Sequence, residues 1–273
     1  MTFLALALVI MAAPPQTPAA RDALIRARTA YNAHRYDEAI AAADEARNAP
    51  DLADEAAVVL ARARLERYHA SDPEHRDASD LDAARDALKA ISVDRLAARD
   101  YVDYLVGLGE SLFYEQPPRY GAAAETFALA LARAGTAAPD LREPLFEWWA
   151  QALDREAQFE PESGRKPLYE RILRRAEDEL ARDDRSVVAM YWVAAAARGA
   201  DDPERALGAA ISAWIRAGTL GSRGETLRTD LDRLVTDAIL PERARQLTPV
   251  GDAQSALVLL RAQWAELKKR WAK

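Results

Sequence analysis

No cysteine occurs among the 273 residues. That excludes a disulfide framework, cysteine-ligated zinc, an iron–sulfur cluster, a thiol nucleophile and a cysteine-attached lipid anchor. Positive charge is in deficit: 37 basic against 44 acidic side chains give a net charge of −7 and a pI near 5.2. A general nucleic-acid coat needs an excess of Lys and Arg, so no nucleic-acid partner is expected. Glycine is scarce, at 11 residues, asparagine scarcer, and aromatics make up 7%. Val and Ile are dispersed, and no alternating β-branched run bounded by Gly or Asn turns appears, so nothing reads as a strand. What the chain does have is alanine, about one residue in five. Such a composition favours helices packed closely through small side chains, an all-α fold.

Residues 1–20 carry no Asp, Glu, Lys or Arg. The run Thr2 to Ala13 is too short to span a bilayer, which takes roughly 20 apolar residues. It fits the apolar region of a secretory signal, followed by small residues and Pro14-Pro15, with cleavage expected near Ala13, Ala19 or Ala20. A periplasmic or secreted protein without a membrane span, and not a lipoprotein, is the expected address.

From Arg21 onward, helical apolar periodicity is broken repeatedly by short polar turns, most of them marked by proline. Asp201-Asp202-Pro203-Glu204 reads as an acidic cap with Pro in the first turn of a helix continuing to Trp214. Small or apolar residues recur at a position, four later and seven later: Ala39, Ala43, Ala46; Ala84, Leu88, Ile91; Ala123, Phe127, Ala130; and Ala206, Ala210, Ala213. Tyr36 and Tyr120 stand three residues before two of these sets, and Leu105, Leu108, Gly109 and Leu112 precede the third. This pattern resembles the tetratricopeptide repeat, whose second helix carries Tyr-x2-Ala-x3-Phe-x2-Ala; residues 120–130 match that element in full. The resemblance implies an α-α superhelix of about five helix pairs over residues 21–218. The turn between Tyr31 and Tyr36 reads as one residue short and that between Leu112 and Tyr120 as two long. The fourth set, Ile172, Ala176 and Glu179 in a helix from Leu168 to Ala181, loses the small-residue pattern.

Residues 219–273 differ in kind and form a C-terminal helical cap. A polar helix from Glu225 to Leu240 is expected to break at Pro241. In the last helix, Asp252 to Trp271, one apolar stripe is formed by Leu257, Leu260, Trp264, Leu267 and Trp271. It suits a capping helix on the last repeat. A coiled-coil seam would use the same stripe, which makes an oligomer through this helix the alternative.

Few residues suggest chemistry. His69, Asp72 and His75 lie in an acidic linker and are the weak candidates for a metal site. They lack calcium-loop order and helical His spacing, so the linker reads as a solvated turn, and no metal or cofactor is expected. His34 falls in a predicted turn with no nucleophile motif, and residues 221–224 lack the end of a phosphate loop. Glu160 with Glu162, and Asp183 with Asp184, fall in loops or caps. Glu170 with Arg174, and Asp178 with Arg182, read as a self-paired helix face. No catalytic residue is assigned, and the chain is not expected to be an enzyme.

The resemblance implies a concave groove lined by the first helix of each pair, receiving an extended peptide or a partner's helix. On the third pair it would direct Asp103, Val106, Glu110, Phe113 and Tyr114 toward the groove. The Lys and Asn set that holds a chaperone's C-terminal carboxylate is absent. Phe146, Trp149 and Leu153 share a helix face, which leaves adjacent Trp148 as an exposed anchor. The expected function is a non-catalytic protein- or peptide-binding scaffold of the cell envelope. The alternatives are a small-ligand or transport accessory protein and an accessory to a cell-wall enzyme.

Overall fold

The computed structural model describes residues 18–248 and 251–271, and among these every regular element is helical. The apolar run 2–13 lies outside the described residues; Pro18 to Ala20 open the first helix. Contacts divide the chain into two compact units, with the boundary after Leu145.

The first unit contains α1 (Pro18–Asn32), α2 (Tyr36–Ala46), α3 (Ala53–Ala70), α4 (Ala78–Lys89), α5 (Ala98–Phe113) and α6 (Tyr120–Ala137). Each odd-numbered helix packs on the even-numbered helix that follows it, and α3 joins the pairs by packing on α1, α2 and α5. The recurring small residues lie where the helices meet. Ala39, Ala43, Ala46, Ala84, Ala123, Phe127 and Ala130 are fully buried. Ile91 lies just past the end of α4 and only packs against the margin of the core. Gly109 in α5 shows why this contact needs small residues: a Cβ there would lie 2.5 Å from Cε1 of Phe127. Acidic residues in first turns, Asp37 and Glu38 in α2 and Asp54 and Glu55 in α3, complement the helix dipoles.

The second unit holds most of α7 (Arg142–Phe159), then α8 (Glu162–Arg182), α9 (Val187–Gly199), α10 (Pro203–Ala217), α11 (Gly221–Leu234), α12 (Leu240–Leu247) and α13 (Ala253–Trp271). Helix α9 packs on α8 and α10, with Ala206, Ala210 and Ala213 fully buried. Helix α8 begins ahead of the expected start at Leu168 and takes Pro167 into its second turn. Its charges centre on Glu179, which accepts from Arg175 at 3.1 Å and Arg182 at 3.2 Å. All six tryptophans of the sequence fall at position 148 or later, within this unit.

Two turns share one geometry. After α1, the Arg35 N–H reaches the Ala30 carbonyl and the His34 N–H reaches that of Tyr31, both at 2.9 Å. After α9, Asp202 bonds Ala197 at 2.9 Å and Asp201 bonds Arg198 at 3.1 Å in the same order. This is the Schellman closure, with His34 (φ 57°) and Asp201 (φ 68°) in the left-handed position usually given to glycine. Ala30 is buried where this turn begins, and Tyr31 packs against the margin of the same core. Asp202 caps α10 as expected, its carboxylate accepting from the Arg205 N–H at 3.0 Å.

The C-terminal region departs from the expected break at Pro241. Helix α11 runs through a π turn, Val235–Ile239, directly into α12, where Pro241 is in the first turn. A proline lacks the N–H for the preceding turn and crowds its carbonyl; one widened turn removes that conflict without ending the helix. The stripe on α13 is used within its own unit. Trp264 is buried, lies edge-on to Trp214 at 5.9 Å, and donates its indole N–H to Asp232 at 2.6 Å. Leu257, Leu260 and Leu267 pack on the same core, whereas Trp271 is half exposed. No helix among the described residues is long and apolar enough to cross a membrane.

Candidate functional site

The first helices of the three pairs in the first unit line one cavity of about 440 Å³. Helix α1 supplies Arg28, Tyr31 and Asn32; α3 supplies Val58, Val59 and Arg62; α5 supplies Arg99, Asp100 and Asp103. Asp140 and Leu141, from a short 3-10 turn after α6, complete the wall. The placement follows from helical spacing. Arg99 and Asp103 are four residues apart on α5, as are Arg62 and Glu66 on α3, so each pair presents its charges on one face.

Arg62 is the centre of the charge network. It is buried, donates through Nη1 to Glu110, and through Nη2 to the Tyr31 hydroxyl at 2.7 Å and to Glu66 at 3.2 Å. The Tyr31 hydroxyl in turn faces Glu66 at 3.4 Å. Burial lifts the Glu110 carboxyl to about 7 against the pull of Arg62. Burial opposes the charge on Arg62, but Glu110, Tyr31 and Glu66 outweigh it and hold the guanidinium protonated. Two further guanidinium groups are shared in the same manner. Arg28 donates to Glu55 at 3.0 Å and Asp100 at 2.8 Å. Arg99 grips Asp140 through two bonds of 2.6 and 3.0 Å and reaches Asp103 at 3.3 Å. Burial raises the carboxyls of Asp100 and Asp103, whereas the bond from Arg99 lowers that of Asp140.

The structure brings only part of the expected groove set together. Asp103 lines the cavity, Glu110 supports it from beneath through Arg62, and Val106 is buried. Phe113 and Tyr114 belong instead to an aromatic cluster at the end of α5. The Phe113 ring lies 4.9 Å from Tyr120 and that of Tyr114 5.4 Å from Tyr68, with the Arg76 guanidinium over Tyr68 and Tyr114. Trp148, in the second unit, is half-buried, while Phe146, Trp149 and Leu153 are buried as their shared face predicts. In the linker, Asp72 caps a 3-10 turn through the Glu74 N–H at 3.2 Å, His69 lies 5.8 Å from the Tyr114 ring, and His75 is exposed. Among the described residues, no three His, Asp or Glu side chains are gathered as metal ligands. His34 is exposed, with Nδ1 2.9 Å from the Tyr36 hydroxyl.

Sequence reasoning did not single out Arg28, Tyr31, Arg62, Arg99, Asp100 or Asp140. The available signal was Arg62 inside the apolar stretch from Ala56 to Leu65, since a charge in such a run requires a buried partner. Comparison of the chain with protein-family models, with curated proteins and with solved structures finds no match in any of the three.

Proposed function

We propose that the protein is a non-catalytic, tetratricopeptide-like scaffold of the cell envelope. In this reading it holds a protein or peptide on the face made by the first helices of its first three pairs. The observation that carries the reading is the joint lining of one cavity by α1, α3 and α5, the helices to which the repeat resemblance assigns the groove. Asp100, Asp103 and Asp140 each accept from an arginine. Such clamped pairs favour holding a ligand over transferring protons. The envelope address rests on the apolar segment at the start of the sequence.

A photo-crosslinking residue at Asn32, on the exposed rim of the cavity, tests the reading in cells against the same residue at Lys89 on the exposed side of α4. A defined crosslinked partner is expected from Asn32 and none from Lys89. Equal labelling from both positions, or none from Asn32, refutes the scaffold. The cavity volume also falls in the range of small-molecule sites, which favours a transport accessory as the second reading. Its charged wall departs from the apolar lining usual there, so the polypeptide reading is preferred.

A further inference from the structure

We propose that the outer face of α13 is a self-association surface, on which the α13 of a second copy of this chain lies antiparallel. The inference is independent of what the first unit holds. The inner stripe of α13 is taken up within its own unit, where Leu257, Leu260 and Leu267 pack on the core and Trp264 is buried. Two of its charges are taken up there as well: Lys268 reaches Asp232 at 2.6 Å, and Arg261 reaches the Thr236 carbonyl at 3.5 Å. On the opposite face Ser255, Val258, Leu259, Ala262, Glu266 and Lys269 recur at helical spacing, and all six are exposed. Val258 is 60% and Leu259 61% exposed, so this face is apolar over the first half of the helix and charged over the second. Glu266, Lys269 and Arg270 are exposed and have no ion-pair partner among the described residues.

Charge order selects a second copy as the occupant and fixes its direction. With Leu259 set level with Ala262 of the second copy, each step up one helix is a step down the other. Asp252 then stands opposite Lys269 and Arg270 of the second copy, and Ser255 opposite its Glu266, each contact occurring twice about the two-fold axis. The first turn of α13 has no acidic residue of its own, and its last turn holds Lys268, Lys269 and Arg270. Glu266 of the second copy supplies the negative charge that a helix start favours, and Asp252 answers the basic end. A parallel pair would set the basic ends against each other, which like charge disfavours. One helix pair is a small interface, below about 1,200 Å², so reversible association at micromolar concentration is expected rather than an obligate dimer.

Sedimentation equilibrium of the full chain from about 5 to 500 μM tests the surface, wild type being expected to pass from monomer to dimer over that range. Leu259→Glu places an unpaired carboxylate in the contact and is expected to weaken association at least about tenfold, with the melting temperature unchanged. The double change Lys269→Glu, Arg270→Glu, at two exposed positions, is expected to weaken it about fivefold at low salt and less at high salt. It decides the matter if Leu259→Glu melts lower than wild type. Because the chain has no cysteine, disulfide trapping reads the direction. Ser255→Cys mixed with Glu266→Cys is expected to form a crosslinked pair. Ser255→Cys alone is expected to form none, since antiparallel packing holds its two copies about 16 Å apart. A monomer at every concentration, or a dimer that both the Leu259 and the charge-reversed variants leave intact, overturns the proposal. Crosslinking of Ser255→Cys to itself and not to Glu266→Cys overturns the antiparallel arrangement.

Discussion

Among single residues, Glu110 carries the clearest consequence. Its folded-state pKa of about 7 lies above the ordinary value of about 4.3. Between those values the native state keeps a proton that the unfolded chain has released. The group's contribution to stability is therefore fully present below about pH 4 and is lost as the pH rises through 7. From pH 5 to pH 8 the loss is on the order of 3 kcal/mol. Thermal melts across that range are expected to show the decline in wild type and to lose that component in Glu110→Gln. Arg62→Met leaves the Glu110 carboxylate buried without its cation and is expected to cost about 3–5 kcal/mol in denaturant unfolding at pH 8. The penalty should shrink at pH 5, where the carboxyl holds its proton. Asp103 and Glu110 were singled out in the sequence only through the groove face that the repeat resemblance implies. Arg62 was not, because its neighbour Arg64 sits in the same stretch. Arg64 turns to Asp80 at 3.1 Å, and spacing alone does not tell the two apart.

At the scale of helices and turns, the alanine pattern foretold where helices meet, because small residues every three or four positions serve little purpose unless two axes approach closely. Gly109 makes this testable. Alanine there gains up to about 1 kcal/mol of helix propensity but collides with Phe127. Overpacking costs about 1–3 kcal/mol, so net destabilisation is expected in thermal unfolding. An Asp202→Ala change removes the acceptor of the Arg205 N–H and is expected to cost about 1 kcal/mol. The π turn before Pro241 was not legible. Proline signals that the hydrogen-bond ladder must change, without fixing whether the chain ends the helix or widens one turn. The closure of the first turn was not legible for a related reason: His34 in left-handed backbone looks unremarkable in a sequence.

For the whole molecule, the division after Leu145 was not visible in periodicity, since it falls inside α7, a helix of uninterrupted pattern. The expected cleavage near Ala20 can be set against the packing of α1. Cleavage after Ala20 leaves the buried residues Ala23, Leu24, Ala27 and Ala30 of α1 and removes only Ala20 from that face. Loss of one buried methyl group, about 0.8 kcal/mol, is expected to lower the melting temperature by no more than about 3 °C in a chain that starts at Arg21. The distribution of aromatic residues has an optical consequence as well. All six tryptophans belong to the second unit, whereas seven of the nine tyrosines, Tyr31 at the cavity among them, belong to the first. Excitation at the red edge of the absorption band therefore selects one half of the polypeptide. Tyrosine emission comes mainly from the other, so the two can be followed side by side in one cuvette without an added dye.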